Sequence, residues 1–178
     1  MFTNNFYKLL YYGMIFVGDI YNYQNVKCKI VSASLNMIEA NGNTYPSMKR
    51  QFSETSVNGG VAVGTSGIEE TKNDVTLPGL IAESDITINY MSTSTFNDDT
   101  GSGILGAYTL TNNTDADITV REVGLYARPN SLKEGASSNS TSACLIDRTV
   151  LKTPIVVPAN GSERLLYMLY FEMNEETV

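Results

Sequence analysis

The sequence predicts an all-β fold: an antiparallel β-sandwich of jelly-roll-like kind, or a partly closed barrel, preceded by a short N-terminal helical arm. Three observations carry this. Short runs alternate apolar and polar residues, the period of a strand with one buried face. Turn-forming residues separate these runs at short intervals. No long amphipathic helical pattern occurs after residue 25.

Residues 1–25 hold five of the eleven tyrosines, and their only charges are Lys8 and Asp19. Thr3 or Asn4 suits the N-cap of a helix running through FYKLLYYGMIF (6–16). From Leu9 onward that helix is apolar all round, so it must be buried against something. Phe2, Phe6, Tyr7, Leu10, Tyr11 and Phe16 are expected at a contact between subunits. Tyrosines suit such a place, with the ring buried and the hydroxyl at a polar rim. The chain thus divides into an aromatic arm or helix (1–25) and a β-domain (26–178).

Within the β-domain, VKCKIVSAS (26–34) alternates weakly, and Asn41-Gly42 is a strong turn signal. In SDITINYM (84–91), Ile86, Ile88 and Tyr90 oppose Asp85, Thr87 and Asn89. In ILGAYTLTN (104–112), Tyr108 and Leu110 oppose Thr109 and Thr111. NNTDAD (112–117) reads as a turn into the strand ITVREVGLYA (118–127). After a polar loop (130–142) come ACLIDRTVL, TPIVVP, an Asn160-Gly161 turn and RLLYMLYFEM (164–173). The last strand is apolar on both faces, so it is either central to the packing or covered by another subunit.

Composition narrows the chemistry. A chain of 178 residues, 42% of them hydrophobic, suits one globular domain with an extra arm. The net charge of −7 with no Lys/Arg cluster argues against nucleic acid as a partner. The absence of histidine removes the Ser-His-Asp and Cys-His mechanisms, His-containing zinc sites and the usual near-neutral general base. Cys28 and Cys144 both sit in apolar strand-like runs and read as small buried side chains; nothing calls for a disulfide, although one stays open. No run is long enough to span a bilayer, and LLYYGMIFV (9–17) has no cleavage site after it, so it reads as mature protein.

The motif-like segments read as structure. GSGILG (101–106) fits G-x-G-x-x-G but runs into a strand, where dinucleotide binding needs a helix. GTSG (64–67) has the wrong spacing for a nucleophile elbow and lacks a phosphate-loop lysine, so it is a turn. NDDTG (97–101) lacks the spaced ligand set of a calcium loop. The pairs Glu69/Glu70 and Asp98/Asp99 are adjacent in loops, without the cross-cleft geometry of glycoside hydrolysis. No catalytic residue, metal site, cofactor or small-molecule substrate is expected.

Two charges stand out. On a regular strand Glu122 shares its face with Ile118 and Val120, and Arg148 shares its face with Ile146 and Val150. Charges facing an apolar interior pair, because an isolated one costs several kcal/mol. Glu122 and Arg148 are therefore expected to form an ion pair inside the sandwich that fixes strand register. A bulge at Arg121–Glu122 would instead turn Glu122 outward.

Three segments, VAVGTSGIEETKNDVTL (61–77), YTLTNNTDADITVREVGLYAR (108–128) and LIDRTVLKTPIVVPANGSERLLYMLYF (145–171), together resemble a group of small virion proteins of tailed bacteriophages. That group is expected to open on a Gly-Thr-Gly-like turn with an acidic spacer and a Leu. A strand pair with an E-[IV]-G-L-Y core follows, then a strand with a central Arg, a Pro-flanked strand, a Gly turn and a long last strand. Here the opening reads GTSG and the central Arg is Arg148. The resemblance covers roughly residues 61–173 and rests on the order and spacing of the segments. It implies a β-sandwich component of the virion, without assigning it to neck, tail or capsid surface. The leading expectation is a non-enzymatic homo-oligomer that contacts other virion proteins at the portal–neck–tail axis. The alternative is a capsid-surface decoration, fibre-anchoring or glycan-binding module of the virion; a glycan-active enzyme is a third reading.

Overall fold

The computed structural model describes residues 1–3, 19–21, 25, 27–32, 36–38, 44–46, 60–98, 101–127, 130–133, 140–141 and 143–172. These contain twelve strands and no helix: β1 (Asp19–Tyr21), β2 (Lys27–Ser32), β3 (Asn36–Ile38), β4 (Thr44–Pro46), β5 (Gly60–Gly64), β6 (Ile86–Asp98), β7 (Gly101–Asn112), β8 (Ile118–Ala127), β9 (Asn130–Lys133), β10 (Ser140–Thr141), β11 (Cys144–Val157) and β12 (Ser162–Glu172). The expected helix over 6–16 lies outside the described residues. Inside the expected arm, Asp19–Tyr21 is a strand paired with β2. The Asn41-Gly42 turn also lies outside them, and the flanking β3 and β4 pair antiparallel.

Two three-stranded antiparallel sheets build the main body, in the orders β11-β8-β5 and β12-β7-β6. They do not close into a barrel. A smaller sheet runs β1-β2-β9-β10. One apolar cluster draws on both main sheets: Val61 and Val63 (β5), Val123 and Leu125 (β8) and Ile146 (β11) join Tyr108 and Leu110 (β7) and Leu165, Tyr167 and Leu169 (β12). The alternation read in 104–112 accounts for Tyr108 and Leu110. Ile88 and Tyr90 of β6 lie opposite Leu110 and Tyr108 of β7, so the apolar positions share one face.

The turns are made by side chains that replace lost ladder bonds. Asn112 is 1% exposed. Its amide donates to Ala116 O (2.7 Å) and Val157 O (3.0 Å), while its Oδ1 accepts from Thr114 N–H (2.9 Å) and Thr114 Oγ1 (2.8 Å). This is the asparagine turn that 112–117 announces. Asn160 has φ 54°, a left-handed value that asparagine tolerates, and Gly161 N–H closes the turn on Pro158 O at 2.9 Å. That turn passes from β11 in one sheet to β12 in the other.

Residues 1–3 lie along β11. Phe2 bridges to Asp147, Thr3 N–H donates to Ile146 O (3.0 Å) and Arg148 N–H donates to Met1 O (3.0 Å). Phe2 is partly buried against the chain's own inter-sheet cluster. Phe6, Tyr7, Leu10, Tyr11 and Phe16 lie outside the described residues.

Candidate functional site

The most concentrated chemistry in the described residues surrounds Arg148, and strand irregularity puts it there. Between the pairs Val150/Glu122 and Ile155/Val120, residues Leu151 to Pro154 of β11 stand against Arg121 alone. That bulge reverses the facing of β8: Val120 and Val123 both face the inter-sheet cluster, and Glu122 points the other way. A second shift, at Ile146, separates Arg148 from Ile146 in the same manner. Glu122 therefore does not share the face of Ile118 and Val120, and Arg148 does not share that of Ile146. The regular-strand expectation is corrected on this point. The two charges meet on the outer face of sheet β11-β8-β5, and not between the sheets.

A segment of the chain covers that face. Residues 65–80 leave β5, cross the sheet as a strap and return beside β5. Thr65 N–H donates to Gly79 O (2.8 Å), and Ile81 N–H donates to Val63 O (3.0 Å). Leu77 is 2% exposed and packs with Ala62, Tyr126, Ala143 and Leu145 in a second, smaller apolar cluster. The Tyr126 hydroxyl accepts from Leu77 N–H at 3.1 Å. A Cβ on Gly124 would stand 2.9 Å from both Leu77 Cδ2 and Leu145 Cδ1, so any larger residue there would make these leucine side chains shift.

Arg148 locks the strap down. Its side chain is 1% exposed, and its Nε–H donates to Glu122 Oε2 at 2.8 Å. Nη1 donates to Asp74 Oδ2 (2.7 Å) and Glu69 O (3.3 Å), and Nη2 donates to Ile68 O (2.7 Å). Four of a guanidinium's five donors are thus spent on the chain itself. Glu122, fully buried, also accepts from Gly79 N–H at 2.9 Å. Asp74 closes a turn with Thr71, accepting from its N–H (2.9 Å) and Oγ1 (2.7 Å). Burial raises the Asp74 carboxyl pKa, but the bonds from Thr71 and Arg148 outweigh it and hold the group below the usual aspartate value. For Arg148, burial opposes the charge, and Asp74 and Glu122 more than compensate.

On the other face of β11, Asp147 is 3% exposed and accepts from the Tyr167 hydroxyl and from Thr149 Oγ1 (3.2 Å). The Met1 ammonium stands 3.3 Å from it. Burial first, and then the Asp147 charge, raise the Tyr167 hydroxyl well above its usual pKa, so Tyr167 stays a donor.

Sequence reasoning missed Asp74, Tyr126, Asp147 and the strap itself. One signal was present: an arginine carries more donors than a single glutamate accepts, so a buried arginine implies further acceptors. GTSG covers the end of β5 and the extended start of the strap, where no turn forms, and GSGILG lies within β7. Among the described residues no three His, Cys, Asp or Glu side chains cluster in a way that could hold a metal ion. No helix among them is long and apolar enough to cross a membrane. Comparison with protein-family models, curated proteins and solved structures found no match to this chain.

Proposed function

We propose that this chain is a non-enzymatic structural component of a bacteriophage particle, a β-sandwich that assembles as repeated subunits at the portal–neck–tail axis. The single observation that carries the assembly part is the outer face of sheet β12-β7-β6. Leu166, Met168 and Met91 are 55%, 53% and 57% exposed there, alongside the half-buried Leu105. Such a row of exposed apolar side chains suits a subunit interface, where it would be taken out of water. The Arg148 cluster supports the structural part, because its donors go to the chain's own carboxylates and carbonyls and leave its chemistry that of a clamp. The sandwich reading is supported by the single apolar cluster that both sheets feed. The phage setting rests on the resemblance of residues 61–173 alone.

Two measurements test this reading. Light scattering of the purified chain is expected to give an oligomer, and immunogold labelling of intact particles is expected to mark the head–tail junction. A monomer that never co-purifies with particles overturns the proposal. So does turnover of a polysaccharide that a single carboxylate substitution abolishes.

A further inference from the structure

Sheet edges are the places where a β-protein must prevent or permit pairing with another chain. The two main sheets have four edges, and the described residues manage three of them. Residues 1–3 lie on the β11 edge. The returning strap lies on the β5 edge, through the Gly64–Leu80 bridge. The β6 edge is bulged between Tyr90 and Ser92 and continues as the polar run Ser92, Thr93, Ser94 and Thr95. β12 has none of these devices. It pairs with β7 from Ser162 to Glu172 without a register shift. It contains no proline, and between Arg164 and Glu172 no charge. Among the described residues no strand lies beyond it.

We infer that β12 is a homodimerisation edge, pairing antiparallel with β12 of a second copy about a two-fold axis through Met168. The inference rests on the proposed reading that the chain assembles with itself, and it names the surface used. A two-fold perpendicular to a continuous sheet keeps each face on its own side, so only registers centred on a residue are allowed. Centring on Met168 sets Arg164 opposite the partner copy's residue 172, a glutamate, and Leu166 opposite its residue 170, a tyrosine. Met168 then meets its own symmetry mate. On the core-facing side the same register sets residue 167 against 169, a tyrosine against a leucine. Shifting the axis to residue 167 puts Arg164 opposite a tyrosine and Glu172 opposite Ser162, which removes both charge pairs. Charge and apolar complementarity thus select one register. Leu166 and Met168, each more than half exposed, would acquire a partner in every copy.

The test uses the full chain. Directly opposed residues of antiparallel strands have Cα atoms about 4.5–5.5 Å apart, within disulfide reach. Met168→Cys is therefore expected to cross-link copies under mild oxidation, with the 168–168 linkage identified by mass spectrometry so that Cys28 and Cys144 do not confuse the result. Leu166→Cys, whose copies would be about 13 Å apart, is expected not to cross-link. Arg164→Glu is expected to weaken the dimer about tenfold in sedimentation equilibrium, because two attractive pairs become repulsive. Adding Glu172→Arg is expected to restore it. Arg164 is exposed, and an unchanged circular dichroism spectrum checks that its variant folds. An oligomer that gives no 168–168 linkage and ignores Arg164→Glu overturns the β12 interface and leaves the assembly reading intact. A wild-type chain that is monomeric at all concentrations overturns both.

Discussion

Replacing Arg148 with methionine isolates the clamp. Methionine keeps the apolar stem and removes four hydrogen bonds, to Glu122, Asp74, Ile68 O and Glu69 O. Asp74 retains Thr71 and some solvent, with 15% of its side chain exposed. Glu122 has no exposure and would keep only the Gly79 N–H. Its uncompensated charge therefore dominates the loss, and breaking a buried pair in this way costs about 3–5 kcal/mol. At about 2–4 °C per kcal/mol for a chain of this size, the midpoint of thermal unfolding should fall by roughly 6–20 °C. Neutralising the stranded partner in Arg148→Met/Glu122→Gln should recover much of this, with a coupling of about 2–3 kcal/mol in a double-mutant cycle. A local readout accompanies the global one. Lys72 is exposed on the strap, and trypsin should cut after it faster in Arg148→Met, at protein concentrations where the wild type is intact. A loss under about 1 kcal/mol, a coupling near zero, or unchanged cleavage at Lys72 would refute the clamp.

Three further outcomes follow from the same geometry. Gly64→Ala should destabilise by about 1–3 kcal/mol in urea titration, since its Cβ would stand 2.3 Å from Glu122 Oε1 and push the carboxylate off Arg148. Asn112→Ala should cost about 2–4 kcal/mol, because it leaves Val157 O and the Thr114 N–H without their buried partner; a normal unfolding midpoint would contradict this. Asp74 is held below its ordinary value of 3.8 in the folded chain, so its contribution is complete above the unfolded pKa and is lost as pH falls through the folded one. The stability difference between wild type and Asp74→Asn should accordingly be flat from neutral pH down to about pH 5 and vanish toward strong acid. A difference that instead grew on acidification would reverse the assigned sign.

Much of the body was legible because alternation speaks directly to burial. Ile86, Ile88, Tyr108 and Leu110 contribute to the inter-sheet cluster that their period implied. Glu122 and Arg148 stood out as charges in apolar strands, and the structure brings them within 2.8 Å. Their side of the sheet stays open in the sequence between a regular strand and a bulge at Arg121–Glu122, and the structure has the bulge, with Glu122 on the outer face. The choice depends on how many residues of β11 bulge opposite Arg121, a property of two strands together that neither strand shows alone. The strap was hidden for a related reason. Its polar sequence looks like a solvated loop, and much of what reaches inward is backbone: the carbonyls of Ile68 and Glu69 and the N–H of Gly79, beside the side chains of Leu77 and Asp74. Strand β12 reads as either central to the packing or covered by another subunit. Among the described residues it stands at the end of its sheet, with Leu166 and Met168 exposed, which sets aside the first alternative.

The strap makes the molecule two-sided. The outer face of sheet β11-β8-β5 carries its own fitted cover, with Leu77 packed under it, while among the described residues nothing covers that of sheet β12-β7-β6. A sheet extended edge to edge keeps this distinction, because pairing strands side by side does not turn either face over. Copies joined through β12 would therefore form a plate with all bare faces on one side and all straps on the other. Such a plate has an upper and a lower surface of different chemistry, able to lie on an apolar support while showing a polar, loop-built exterior to whatever approaches from outside.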